Sequence, residues 1–133
     1  MTWYNEHMLS LISNIIYSDN PQRLVDFYKK VLQTEVEWSG GDMQSLRAGQ
    51  GFLLFGPHSK VHGKSKEPER MIFNLVTPDV EEEFERIKAL GATVIAEPYH
   101  PSEDRDQAPE VLVATFSDPD GNFFQLESPF PGD

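Results

Sequence analysis

Thr115-Phe116-Ser117-Asp118-Pro119-Asp120-Gly121-Asn122-Phe123-Phe124-Gln125-Leu126-Glu127 is the stretch from which the fold of this chain is read. At its centre Asp118-Pro119-Asp120-Gly121 carries turn chemistry: Pro presets φ, Asp bonds its own backbone, and Gly accepts φ > 0. Both flanks are strand-like. Residues 111–116 and 123–126 are, apart from Gln125, β-branched, aromatic or otherwise apolar on both faces, as suits strands covered on both sides. The turn by itself fits a hairpin in any α+β domain, because Asp-Gly is among the commonest hairpin signals.

Working outward, the order of elements repeats. Residues 11–17 read as a strand that Asp19-Asn20-Pro21 stops, and a helix begins there with Asn20 as N-cap and Pro21 in the first helical position. Leu24, Phe27, Tyr28, Val31 and Leu32 make one apolar stripe, while Lys29 and Lys30 complement the helix dipole in the last turn. Short strands follow over residues 35–38, 43–48 and 52–55, separated by Gly40-Gly41-Asp42 and Gly49-Gln50-Gly51. Residues 57–69 have no apolar periodicity and read as an exposed linker.

Then the order starts again. A strand over residues 70–77 precedes a helix over 79–90, in which Asp79 and Glu82 form an Asp version of the capping box. Glu81, Glu82 and Glu83 load the positive N-terminus, Val80, Phe84, Ile87 and Leu90 make the buried stripe, and Gly91 ends the helix at C′. A strand over 93–97, a polar loop over 98–109 and the hairpin complete the chain. Strand, capped helix and three strands thus occur twice, over about residues 11–56 and 70–127.

Composition narrows the function. A chain of 133 residues, 38% hydrophobic, is enough for one compact domain with an ordinary core. It has no Cys, which removes disulfides, thiolate metal sites and Cys nucleophiles and is compatible with a reducing cytosol, so a cytoplasmic location is expected. The apolar run over 8–16 is broken by Ser10, Ser13 and Asn14 and has no basic segment before it; it reads as neither signal peptide nor membrane span. A net charge of −11 argues against nucleic acid, since phosphate binding needs clustered Lys and Arg. It describes a solvated acidic surface, or a field that draws cationic small molecules.

No nucleophile elbow, P-loop or dinucleotide fingerprint is present; Gly49-Gln50-Gly51 lacks the third Gly and the following helix. His58 and His62 have helical metal-site spacing, but Gly56, Pro57 and Gly63 oppose a helix, so both read as solvated loop histidines. Glu103-Asp104-Arg105-Asp106 lacks the spacing of a calcium loop and reads as a charged surface turn.

The string Ser117 to Asn122, followed by two apolar residues, Gln125 and Leu126, resembles the closing strand of the vicinal oxygen chelate superfamily. That superfamily holds glyoxalase I, bleomycin-resistance proteins, fosfomycin-resistance enzymes and extradiol dioxygenases. The resemblance spreads along the chain: Ser13 to Leu32, with Phe27 and Tyr28 before Val31 and Leu32, is similar to the family's first strand and helix. Ile72 to Gly91, ending Lys88-Ala89-Leu90-Gly91-Ala92, is similar to the second. It implies an α+β fold of paired βαβββ modules forming an incomplete barrel or cup, commonly completed in a homodimer. Residues 1–133 then form one such domain.

In the family's metalloenzymes, ligands come from inward positions near the start of each module's first strand and the end of its last. Carried over, these positions are Ser13 (Asn14 if a bulge shifts the register), Leu54, Ile72 and Gln125, where the metalloenzymes have Glu at the last. None supplies a carboxylate or imidazole, so no metal and no cofactor are expected. The family register implies a pocket lined by Ser13, Ile15, Tyr17, Phe52, Leu54, Ile72, Asn74, Phe123, Gln125 and Glu127; Trp38 and Tyr99 lie nearby without a determined orientation. Such a lining suits a small amphipathic or aromatic ligand. Two functions follow from the resemblance. One is a metal-independent protein that binds and sequesters a toxic or antibiotic compound; the other is a lyase, isomerase or dioxygenase-like enzyme using Tyr17, Glu127 or a loop His as acid or base.

Overall fold

The computed structural model of the protein describes residues 8–101 and 111–129. Its elements are β1 (Ser13–Tyr17), α1 (Pro21–Leu32), β2 (Val36–Gly40), β3 (Met43–Ala48) and β4 (Gly51–Gly56), then β5 (Phe73–Val76), α2 (Val80–Ala89), β6 (Thr93–Tyr99), β7 (Val113–Ser117) and β8 (Phe123–Glu127). Two four-stranded mixed sheets result, ordered β1-β4-β3-β2 and β5-β8-β7-β6, and both are open. In each, the first strand runs parallel to the last and the other pairings are antiparallel. The chain divides into two compact units at Gly63 and Lys64, each holding one βαβββ module.

In the first unit, alternation sends Asn14 and Ile16 of β1 and Leu53 and Phe55 of β4 toward α1, which buries Leu24, Val25, Tyr28 and Val31. Tyr28 stacks on Phe55 with ring centroids 5.5 Å apart. The core of the second unit is a column of rings, Phe73, Phe124, Phe116 and Phe84, at successive centroid separations of 6.0, 5.6 and 5.2 Å. Such stacks add to the stabilisation from area burial alone.

The β7–β8 turn behaves as its residues dictate. Gly121 N–H donates to Asp118 O at 3.0 Å and Gly121 takes φ 81, a conformation open to Gly without strain. Asp118, 4% exposed, accepts at Oδ1 from the backbone N–H of Asp120 (2.8 Å) and Asn122 (3.0 Å), and from the Asn122 amide. The carboxylate ties the whole turn.

Several local expectations are corrected. Asn20 and Asp79 stand at the expected N-cap positions, but neither makes a side-chain cap bond. Hydroxyls two residues earlier hold the turns instead: Ser18 Oγ accepts from Asn20 N–H at 2.9 Å, and Thr77 Oγ1 from Asp79 N–H at 3.1 Å. Asp79 hydrogen-bonds Glu82 side chain to side chain, and that bond and the Asp79 charge hold the Glu82 carboxyl above its ordinary range. Leu90, taken as part of the buried stripe, lies beyond α2 and is 42% exposed, while Gly91 at φ 94 does close the helix. α1 ends on Gln33 in the left-handed region, a position with no glycine to announce it.

β1 and β5 are shorter than expected, and β6 extends through Pro98 to Tyr99. Pro98 is tolerated because β6 is an edge strand whose register with β7 is broken between Ala96 and Tyr99. Tyr99 is therefore a strand residue rather than a loop residue. The charged turn Glu103 to Asp106 lies outside the described residues.

Candidate functional site

Each sheet has one face against its helix and a second, open face. In the first unit Ser13, Ile15 and Tyr17 fall on the open face, alternating with the inward Asn14 and Ile16. The parallel register with β4 is unbroken from Ser13↔Phe52 through Ile15↔Leu54 to Tyr17↔Gly56, so Phe52 and Leu54 share that face and Asn14 does not. Across β3 the rows continue: Phe52 pairs with Arg47, and Leu54 with Ser45, which pairs in turn with Trp38 of β2. The fold thus brings four of the expected residues, Ser13, Tyr17, Phe52 and Leu54, onto one surface. Trp38, left without an orientation by the sequence, joins them and is 54% exposed. Its indole lies over Gly40, where a Cβ would come within 2.6 Å of the ring.

Arg47 and Glu37 were not among the expected site residues. Arg47 Cζ stands 4.4 Å from the Phe52 ring centroid, and Arg47 donates to both carboxylate oxygens of Glu37. Counting back from the Gly40↔Met43 pair would put Glu37 opposite Leu46, on the helix side. A register shift between Val36 and Trp38 leaves Glu37 as the extra residue of a bulge instead. Strand alternation from Met43 could have placed Arg47 on the open face; nothing in the sequence announces the bulge that delivers Glu37.

The open face of the second unit is more polar. Asn74 pairs with Gln125 and Gln125 with Thr115, while Glu127 lies between Val76 and Val113 and Phe123 opposite Ser117. Gln125 Nε2 donates to Thr115 Oγ1 at 3.2 Å, using one of the two amide N–H donors and, among the described residues, none of the acceptor capacity of the carbonyl. Ile72 stands one residue ahead of β5, in alternation with Asn74.

The two units share a register, which can be checked by their hydrogen bonds. Ser18 N–H donates to Gly56 O at 3.0 Å, and Thr77 N–H donates to Glu127 O at 2.9 Å. Ser18 is therefore the counterpart of Thr77, and Gly56 of Glu127. Stepping back along each strand makes Ser13 the counterpart of Ile72 and Leu54 that of Gln125. The four positions that the family resemblance implies as ligand positions are thus two equivalent pairs, one in each unit, holding a hydroxyl, an amide and two aliphatic groups. That donor set does not fit a transition metal, which takes at least three N, O or S ligands from the protein in a catalytic site. Among the described residues no group of three or more His, Asp or Glu side chains could hold a metal ion.

His58 and His62 are exposed, and His58 is not merely solvated. Its ring meets the edge of Tyr17 at 5.0 Å between centroids, and its Nδ1 accepts from Lys60 N–H at 3.1 Å. Among the described residues no helix is long and apolar enough to cross a membrane.

Comparison with known proteins agrees with this architecture. No curated protein is matched by the sequence. Among solved structures, a glyoxalase/bleomycin resistance protein/dioxygenase from Alicyclobacillus acidocaldarius is similar at TM-score 0.71 and 14% identity, over 90% of each chain. Lactoylglutathione lyase from Agrobacterium tumefaciens is similar at TM-score 0.66 and 18% identity, over 90% of this chain and 92% of that one. The fosfomycin resistance protein FosX from Listeria monocytogenes is similar at TM-score 0.62 and 20% identity, over 93% and 94%. At these identities the likeness is one of fold. The sequence profile of the glyoxalase-like domain matches residues 14–127, most of the chain, and with both modules in place the protein belongs to the glyoxalase-like family of the vicinal oxygen chelate superfamily.

Proposed function

We propose that this protein binds a small organic molecule on its open sheet faces without a metal ion, as a cytoplasmic homodimer that sequesters its ligand. The observation that carries the reading is the donor set at Ser13, Leu54, Ile72 and Gln125. Two aliphatic side chains stand where ligands are needed, and they offer apolar contact instead. Ser13, Tyr17, Phe52 and Leu54 in the first module, with Ile72, Asn74, Phe123, Gln125 and Glu127 in the second, supply apolar surface and a few hydrogen-bonding groups, the usual composition of a small-molecule site.

The test is metal analysis of the purified protein, with thermal melts in chelator and in a small-molecule panel. A resident metal at about 100 times its Kd would contribute about 2.7 kcal/mol, so its removal would lower the Tm by several degrees. The expected result is an unchanged Tm in EDTA and a raised Tm with one or more compounds. Gln125→Glu is expected to leave metal affinity unchanged, because Leu54 and Ile72 still provide no donors. A chelator-induced fall in Tm, reversed by zinc or nickel, would overturn the reading.

Turnover is a second reading, favoured by the Tyr17 and His58 contact. Lys60 N–H donates to His58 Nδ1, which makes the neutral ring the Nε2–H tautomer, with the Tyr17 ring 5.0 Å away between centroids. Product formation from a compound that raises the Tm, lost in His58→Ala, distinguishes the two.

A further inference from the structure

Arg47 on the open face of the first sheet is held in one orientation. Its Nε donates to Glu37 Oε2 at 2.9 Å and its Nη2 to Glu37 Oε1 at 3.1 Å, while the guanidinium lies over the Phe52 ring. Those bonds take two of the five N–H donors; the other three have no partner among the described residues. They lie on the edges of the fork turned away from Glu37, since one carboxylate takes Nε and Nη2 together.

A purely structural role explains this arrangement poorly. The two side chains stay 41% and 44% exposed, and exposed ion pairs contribute little to stability. The bulge at Glu37 is a local departure from regular pairing whose visible effect is to bring this carboxylate to Arg47; such departures concentrate at sheet edges, where β2 lies, and beside functional sites. Beyond Arg47 the adjoining row runs Ile15, Leu54, Ser45 and Trp38, apolar but for the buried Ser45 and partly exposed, with Ile15 51% and Trp38 54% accessible.

We propose that this face recognises an organic acid, whose flat apolar body lies along Ile15, Leu54 and Trp38 and whose carboxylate is taken by the free edge of Arg47. The proposal rests on the small-molecule reading above and adds the ligand's chemical class. Arginine's planar fork matches the two oxygens of a carboxylate, and an arginine already oriented by Glu37 and Phe52 loses less freedom when the acid arrives. The acidic balance of the whole chain points toward cations, but it acts through solvent and is screened within about 10 Å at ordinary salt. Contact donors decide the sign of the group at this position.

The probes are phenylacetate, phenylacetamide and phenethylammonium, one ring with an anionic, a neutral and a cationic head. Each is titrated into isotope-labelled full-length protein while the backbone amide shifts of β1, β3 and β4 are followed. Phenylacetate is expected to bind at least about tenfold more tightly than phenylacetamide. In Arg47→Gln that preference disappears while phenylacetamide binding is retained, and Arg47→Lys restores only part of it, because an ammonium lacks the fork. If the amide or the cation binds as tightly as the acid with shifts on this face, the organic acid is refuted and the small-molecule reading stands. If none of the three gives saturable shifts there, both are refuted. The ranking of the probes on the unaltered chain decides the matter even where a variant fails to fold.

Discussion

In the first module Ser18 Oγ accepts the N–H of Asn20, and in the second Thr77 Oγ1 accepts the N–H of Asp79; each residue also donates its own N–H to the end of the partner strand. The open faces correspond less. Leu54 and Gln125 are counterparts, yet one is aliphatic and the other an amide bonded to Thr115. Phe52 carries Arg47 on its ring, while its counterpart Phe123 lies opposite Ser117. A strand that hands over to a helix must satisfy its terminal N–H groups whatever the helix later packs against, so that device persists. The open face has only to be compatible with its ligand.

The closing hairpins differ as well. β3 and β4 are joined by Gly49 and Gln50 alone, with Gly49 at φ 60 as a two-residue turn requires, whereas β7 and β8 need the five-residue turn built on Asp118. A tight glycine turn satisfies itself. The longer one depends on a buried carboxylate.

Four sets of variants test which features the two modules share. The largest effect is expected in the cores: Phe116→Ala and Tyr28→Ala, both at fully buried rings, should each cost about 3–5 kcal/mol in equilibrium unfolding. One shared transition is expected in both; separate transitions would show that the modules unfold as independent bodies. Next, Asp118→Ala removes the buried carboxylate that accepts from the Asp120 and Asn122 backbone N–H groups and from the Asn122 amide, and should cost about 2–3 kcal/mol, while Gln50→Ala in the corresponding turn stays within about 0.5 kcal/mol. Similar losses for the two would mean that the carboxylate does not hold its turn.

Ser18→Ala and Thr77→Ala test the shared device and should each cost about 0.5–1.5 kcal/mol, with Ser18 the more costly because it is fully buried. A loss in only one of them would break the proposed equivalence. The last set concerns Gln125, where the effect falls on binding. Gln125→Ala should weaken binding of any compound found by melting by about 0.5–1.5 kcal/mol, and should also leave the buried Thr115 hydroxyl without its amide partner. Adding Thr115→Val should recover the lost stability without recovering affinity. Recovery of both would make Gln125 a structural residue only.

Much of this protein could be read from its residues alone, because the decisive signals are local. Pro21 and Gly91 mark helix limits, Asp118-Pro119-Asp120-Gly121 dictates a turn, and the spacing of Val80, Phe84 and Ile87 dictates a buried face. Each of those is a preference of a few adjacent residues, so no distant partner is needed to see it. Alternation likewise put Ser13, Tyr17, Phe52 and Leu54 on one side of their strands. What the tertiary structure alone decided depends on pairing between segments. Asn20 and Asp79 have good capping side chains, but hydroxyls two residues upstream hold the turns instead. Gln125 could have faced solvent or core, and it is Thr115 on the next strand that engages its amide. Glu37 reaches Arg47 only because β2 slips by one residue against β3, and a slip in register reverses which face a side chain joins without any change in the local sequence that forms the strand.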